Sequence, residues 1–100
     1  MGYRFQVSVE VSEKTGEVTA AYFQVREGKA DRVKEFADGS VFANYNKRGE
    51  LLGVEMLAPC EVSVLDRIAA VEPKQHREKT RNFLKRSAPR AMIGELVGAS

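Results

Sequence analysis

Asp38-Gly39-Ser40-Val41-Phe42-Ala43-Asn44-Tyr45-Asn46-Lys47-Arg48-Gly49-Glu50-Leu51-Leu52-Gly53-Val54-Glu55-Met56-Leu57 contains two turn signals and two apolar runs, and its reading decides the fold. Asp38-Gly39 is a strong hairpin signal, because a type I′ turn needs positive φ at both central residues. Asn46-Lys47-Arg48-Gly49 reads as a type I turn closed by a glycine bulge. Between them, Ser40 to Tyr45 sets Val41, Ala43 and Tyr45 on one face of a strand and Phe42 on the other. After the second turn, Glu50 to Leu57 sets Leu52, Val54 and Met56 opposite Leu51, Glu55 and Leu57. Pro59 ends that strand, since it has no N–H for the ladder.

The same rhythm runs upstream. Gly16, Gly28, Gly39 and Gly49 recur every 10 to 12 residues, the spacing of short antiparallel strands joined by tight hairpins. Tyr3, Phe5, Val7, Val9 and Val11 alternate with Arg4, Gln6, Ser8, Glu10 and Ser12, so the first strand is expected to have one buried and one wet face. The second strand, Glu17 to Arg26, is apolar on both sides and belongs inside the sheet. The third, Ala30 to Phe36, carries Arg32, Lys34 and Glu35 and suits an edge. The expectation is a single α+β domain. A five-stranded antiparallel β-meander fills residues 1–60, and one or two C-terminal α-helices, within residues 61–100, pack on the sheet.

Tyr22-Phe23-Gln24-Val25, Asp38-Gly39-Ser40-Val41 and Asn44-Tyr45-Asn46-Lys47-Arg48-Gly49, running into Leu52-Gly53-Val54-Glu55-Met56-Leu57, carry a resemblance. Over residues 3–60 the chain resembles domain-of-unknown-function family 2283, small bacterial β-meander proteins. The resemblance implies the meander and no established activity. Some members look like neighbours of small ribonuclease-like toxins, which implies an antitoxin-like role as one alternative. The family tends to have aspartates where this chain has Asn44 and Asn46, which removes the acidic groups from that turn.

Past Pro59 the period changes. Ser63-Val64-Leu65-Asp66 has the form of a capping box, and Val64, Leu65, Ile68 and Val71 follow helical spacing, which suggests a helix over 64–71. A further strand over 61–65 is the competing reading. Pro73 suits the first position of a second helix that Ser87-Ala88-Pro89 should end. On that helix His76, Thr80, Phe83, Leu84 and Ser87 share a face that can pack on the sheet. Lys74, Arg77, Arg81 and Lys85 form a basic row beside it. The like-charged pairs Arg77/Arg81 and Arg81/Lys85 each cost about 0.2–0.5 kcal/mol in an isolated helix. The row is therefore the candidate site for an anionic partner, a phosphate backbone or an acidic protein face. Its bland reading is a solvated, solubilising surface.

Charge supports that placement. The net charge is +2, but residues 1–71 hold nine basic against eleven acidic residues, whereas residues 72–100 hold seven against three. The length of 100 residues and 43% apolar content fit one folded domain. No apolar run approaches the roughly 20 residues of a membrane span. The N-terminus shows no signal region, and Gly2 is not followed by a myristoylation pattern, so a cytoplasmic location is expected.

Chemistry has few candidates. Cys60 and His76 are the sole thiol and imidazole. A nucleophilic dyad would need them in hydrogen-bond reach with a third group to orient the base; an idle thiol and an interfacial histidine are the plainer reading. Glu55, framed by Gly53-Val54 and Met56-Leu57, could have a perturbed pKa, or could simply reach solvent or a basic neighbour. No phosphate loop, metal-ligand cluster or cofactor motif is present. The expectation is a non-enzymatic protein-interaction module without cofactors, associating as a homodimer or with a small protein through the sheet. The alternative is an accessory protein that binds nucleic acid or another acidic partner through the basic helix.

Overall fold

The computed structural model describes residues 3–58 and 60–88. Five strands, β1 (Gln6–Val11), β2 (Val18–Gln24), β3 (Arg32–Phe36), β4 (Val41–Tyr45) and β5 (Leu51–Met56), precede two helices, α1 (Val62–Ala70) and α2 (Lys74–Ser87). The fold is α+β, and every strand pair is antiparallel. The sheet order is β1-β2-β5-β4-β3. Thus β3, β4 and β5 form a meander, β1 and β2 a hairpin, and β5 docks beside β2 to join them. The strand with most apolar residues on both faces, β5, takes the centre, and charged β3 takes one edge.

The turns explain the hairpins. Ala37, Asp38 and Gly39 all have positive φ, at 53°, 55° and 87°, so the expected left-handed turn begins one residue before Asp38. At Asn46 the side chain does the work: its Oδ1 accepts from Arg48 N and Glu50 N at 2.9 and 3.0 Å. That Asx geometry holds the β4–β5 turn.

Cross-strand rows such as Val7–Phe23–Val54–Ala43 and Val9–Ala21–Met56–Val41 define the face toward the helices. Phe23, Val54, Met56, Val41 and Ala43 there are buried with Val64, Leu65, Ile68 and Leu84 of the helices. Full burial of a side chain of the Leu or Phe class is worth about 1.5–3 kcal/mol, which is what anchors the short helices.

One sequence expectation needs correction at β5. The ladder shifts between Asn44 and Tyr45, so that Leu51 pairs with Tyr45 while Gly53 pairs with Asn44. Leu52 is therefore the extra residue of a β-bulge. Leu51 turns into the core, and both Val25 N and Arg26 N donate to Leu52 O. Simple alternation, which placed Leu52 with Val54 and Met56, breaks at that point.

The helices also differ slightly from their signals. The first begins at Val62 with Glu61 as N-cap and no side-chain cap bond, so Ser63 lies inside it and forms no capping box. The alternative strand over 61–65 does not form. Pro73 is the N-cap of α2, one position earlier than expected, and Lys85 and Arg86 in the last turn complement the helix dipole. Pro89, expected to stop α2, lies outside the described residues.

Candidate functional site

The expected buried face of β1 is not buried. All six residues of β1 are exposed, and Val7, Val9 and Val11 keep 43%, 47% and 50% of their surface in contact with solvent. Their side chains point to the helix side, opposite Phe23, Ala21 and Val18. The cause is geometric: α2 reaches only the strand's leading end, where Phe83 stacks on Phe5 at 4.3 Å and Phe5 on Tyr3 at 4.8 Å. Beyond Phe5 the valines are left about half exposed. The outer edge of β1 carries no lysine or proline to discourage pairing, in contrast with Arg32 and Lys34 on β3.

The opposite face of the sheet is polar along β1, with Gln6, Ser8 and Glu10, and mixed beyond it. Tyr22 lies over Gly53, where a Cβ would collide with the Tyr22 ring. The ring thus fills the space the glycine leaves, and burial, followed by the nearby Glu55 charge, pushes the Tyr22 hydroxyl pKa up. Glu55 itself is exposed, opposite Tyr22 and Phe42, and reaches solvent. The concavity between β1 and β2, lined by Ser8, Glu10, Tyr22 and Glu55, is about 140 Å³, below the 300–1,000 Å³ typical of ligand pockets.

The basic row divides. Lys74, Arg77, Arg81 and Lys85 are all exposed on α2. However, Arg77 Nε donates to Glu72 O at 2.9 Å, tying down the α1–α2 junction. Lys85 Nζ sits 3.4 Å from Asp66 Oδ1 of α1. Lys74 and Arg81 make no such contact among the described residues. Base stacking finds no free ring here, because Phe5 is sandwiched between Tyr3 and Phe83.

Two polar clusters escape sequence reading. The first links the N-terminus to α2. Tyr3 Oη lies 2.7 Å from His76 Nδ1, and His76 Nε2 faces Glu50 Oε2 at 3.6 Å. With the ring proton on Nε2, the Tyr3 hydroxyl donates to Nδ1. Glu50 also accepts from Asn46 Nδ2 at 2.9 Å. That bond is the main cause of its lowered pKa, opposed by burial and helped by Arg26, Arg48 and His76. His76 is thus interfacial, its nitrogens turned to Tyr3 and Glu50, while Cys60 is buried in the core beside other apolar groups.

The second cluster is buried. Arg26 and Glu72 are 3% and 0% exposed. Arg26 Nη1 donates to Glu72 Oε1 at 2.8 Å and to Leu51 O at 2.5 Å. Leu51 N donates to Glu72 Oε1 at 2.6 Å, and Thr80 Oγ1 to Glu72 Oε2 at 2.5 Å. The segment after β2, the start of β5, the helix junction and α2 meet there, through Arg26, the N–H and C=O of Leu51, Glu72 and Thr80. The arrangement locks the helix pair onto the sheet, and both Glu72 carboxylate oxygens accept hydrogen bonds. Arg26 at the end of an apolar strand and Glu72 before Pro73 carry no pattern that pairs them across 46 residues.

No protein-family model, curated protein or solved structure matches the chain.

Proposed function

We propose that this chain is a non-enzymatic, cytoplasmic protein-interaction module that associates with a second copy of itself through β1. The observation that carries the reading is the solvent-exposed Val7-Val9-Val11 stripe on β1, an edge strand left open among the described residues. An edge of that kind is a template for strand addition, and natural monomers usually blunt it. The polar clusters support the reading by their chemistry: each joins elements of the fold to one another. Light scattering over a wide concentration range tests it. Dimers are expected for the natural sequence and monomers for Val9→Lys, which charges the stripe; a concentration-independent monomer for both would refute the reading.

A second reading is favoured by Lys74 and Arg81, which stand exposed without ion-pair partners among the described residues. It takes α2 as a surface for nucleic acid or another acidic partner. Affinity would fall steeply with salt through counterion release. Lys74→Glu with Arg81→Glu should abolish binding while sparing the Lys85–Asp66 contact; unchanged binding would sink it. An antitoxin-like role is a special case of either reading. The resemblance of the chain's quoted motifs to family 2283 belongs to the same proposal.

A further inference from the structure

We propose that the groove between β3 and α1 takes an acidic, extended peptide of another protein as an added strand on the open edge of β3. The site lies at the opposite end of the sheet from β1 and is independent of self-association.

The two open edges differ in chemistry. On β1, Arg4 N donates to Val25 O and Ser12 N to Glu17 O, so even-numbered residues turn their main chain to β2. The N–H groups of Val7 and Val9 therefore face outward, on an apolar edge. On β3 the outward main chain belongs to Val33 and Glu35. Leu57 N donates to Ser40 O at 2.7 Å, which turns the even-numbered residues of β4 to β5 and the odd-numbered ones to β3. Those odd residues, Val41, Ala43 and Tyr45, stand opposite Phe36, Lys34 and Arg32. Val33 and Glu35 are left to offer their N–H and C=O groups to a further strand.

Two adjoining cavities run along that edge. One, of about 340 Å³, is lined by Arg32, Val33, Lys34, Tyr45 and Val71. The other, of about 460 Å³, continues from Lys34 through Phe36 to Asp38, with Arg67 of α1 on its wall. Consecutive residues of β3, whose side chains alternate between the two faces, line them, so the space follows the edge of the strand. A long site with main-chain donors and acceptors on one wall suits an extended chain.

Charge sets the class of chain. Arg32 and Lys34 are exposed on the helix side of β3, two residues and about 6.6 Å of strand apart. Alternate side chains of an added strand repeat at that same distance, so carboxylates at i and i+2 meet both cations. Lys34 Nζ and Arg67 Cζ lie 5.4 and 5.8 Å from the Phe36 ring centre, which gathers two like charges at one ring. A third carboxylate, opposite Phe36, meets Arg67. None of these three cations makes an ion pair among the described residues. The intervening side chains of the peptide fall on the far face beside Val33, which is 60% exposed and favours apolar neighbours. Glu35 shares that face, its carboxylate close to Gly39, and Asp38 limits the acidic stretch at the end of the groove. The same cations turn away a basic strand. A nucleic acid would answer the cations but not the edge, since its phosphates carry no donor for the Val33 and Glu35 carbonyls.

The probe is a fluorescein-labelled peptide of four Glu-Val repeats, titrated by anisotropy against the full chain. Saturable binding is expected, weakened about tenfold or more by Arg32→Glu with Lys34→Glu. Arg67→Glu should weaken it too, and Val9→Lys should leave it unchanged. Two further peptides, N-methylated at every valine or at every glutamate, block antiparallel and parallel addition respectively, and at least one should lose binding to the natural protein. No saturable binding, or full binding by both methylated peptides, overturns the proposal, as does loss of binding in Val9→Lys, which would place the peptide on β1. Two other results also overturn it: tighter binding of labelled oligodeoxythymidylate that the Arg32/Lys34 variant abolishes, which assigns the groove to nucleic acid, and dimers that this variant dissolves, which assign it to a second copy.

Discussion

Removing Arg26 isolates a buried carboxylate, and the cost can be worked from its surroundings. In Arg26→Met the side-chain volume is roughly kept, but Glu72, fully buried, loses the guanidinium 2.8 Å away. Breaking one half of a buried ion pair costs about 3–5 kcal/mol. Leu51 N–H and Thr80 O–H still donate to the two carboxylate oxygens, so the low end, about 3 kcal/mol, is expected. For a domain of this size each kcal/mol moves the melting temperature by roughly 4–8 °C, hence a drop of about 12–24 °C. Adding Glu72→Gln removes the stranded charge while keeping an acceptor for Leu51 N–H. The double variant should recover at least about 1 kcal/mol. Thermal and urea unfolding followed by circular dichroism read both effects. If Arg26→Met melts within about 3 °C of the parent, or if Glu72→Gln makes it worse, the pair is not what fastens the helices.

Other expectations follow from single contacts. Burial, reinforced by Glu72 and opposed by Arg32, pushes the Tyr45 phenol up to about 12. The folded state therefore favours the protonated form, a contribution present below pH 10 and lost as pH rises from 10 toward 12. Alkaline unfolding curves should be shallower in Tyr45→Phe over that window, and identical curves would contradict this. In Gly53→Ala the new Cβ would strike the Tyr22 ring and lie 3.0 Å from Phe23 O. A loss of about 1–3 kcal/mol is expected in urea titrations, only partly restored by Tyr22→Ala. Ala37 holds φ at 53°, a conformation costing about 1–2 kcal/mol for a residue with a Cβ. Ala37→Gly should raise the urea midpoint, with a net gain of about 0.5–1 kcal/mol after the added chain entropy; a lowered midpoint would show that the Ala37 methyl's packing matters more.

Local chemistry made the strands legible. The 10-to-12-residue glycine rhythm and the alternation in β2 and β4 follow from turn sterics and the two-residue pleat, and both appear where expected. The buried face of α2 was equally readable, since Thr80 and Leu84 are buried and His76, Phe83 and Ser87 half-buried. What failed needed information beyond neighbours in the chain. Alternation in β1 signals which way the valines point, not whether anything lies above them, and α2 ends too near Phe5 to cover them. The Leu52 bulge inverts a pattern that alternation alone reads the other way. Of the basic row, Arg77 and Lys85 serve the fold through Glu72 O and Asp66, contacts set by how α1 and α2 cross. The Arg26–Glu72 pair exists only because the bulge, the helix junction and α2 converge.

Amide hydrogen exchange at Val7 and Val9, read across protein concentration, probes the proposed edge pairing most directly. Strand addition by a second copy predicts that both amides exchange freely in dilute solution and become protected as concentration rises. Exchange rates that do not change with concentration, whether fast or slow, would mean that β1 stands open or is covered from within the same molecule, and the account of self-association would be wrong.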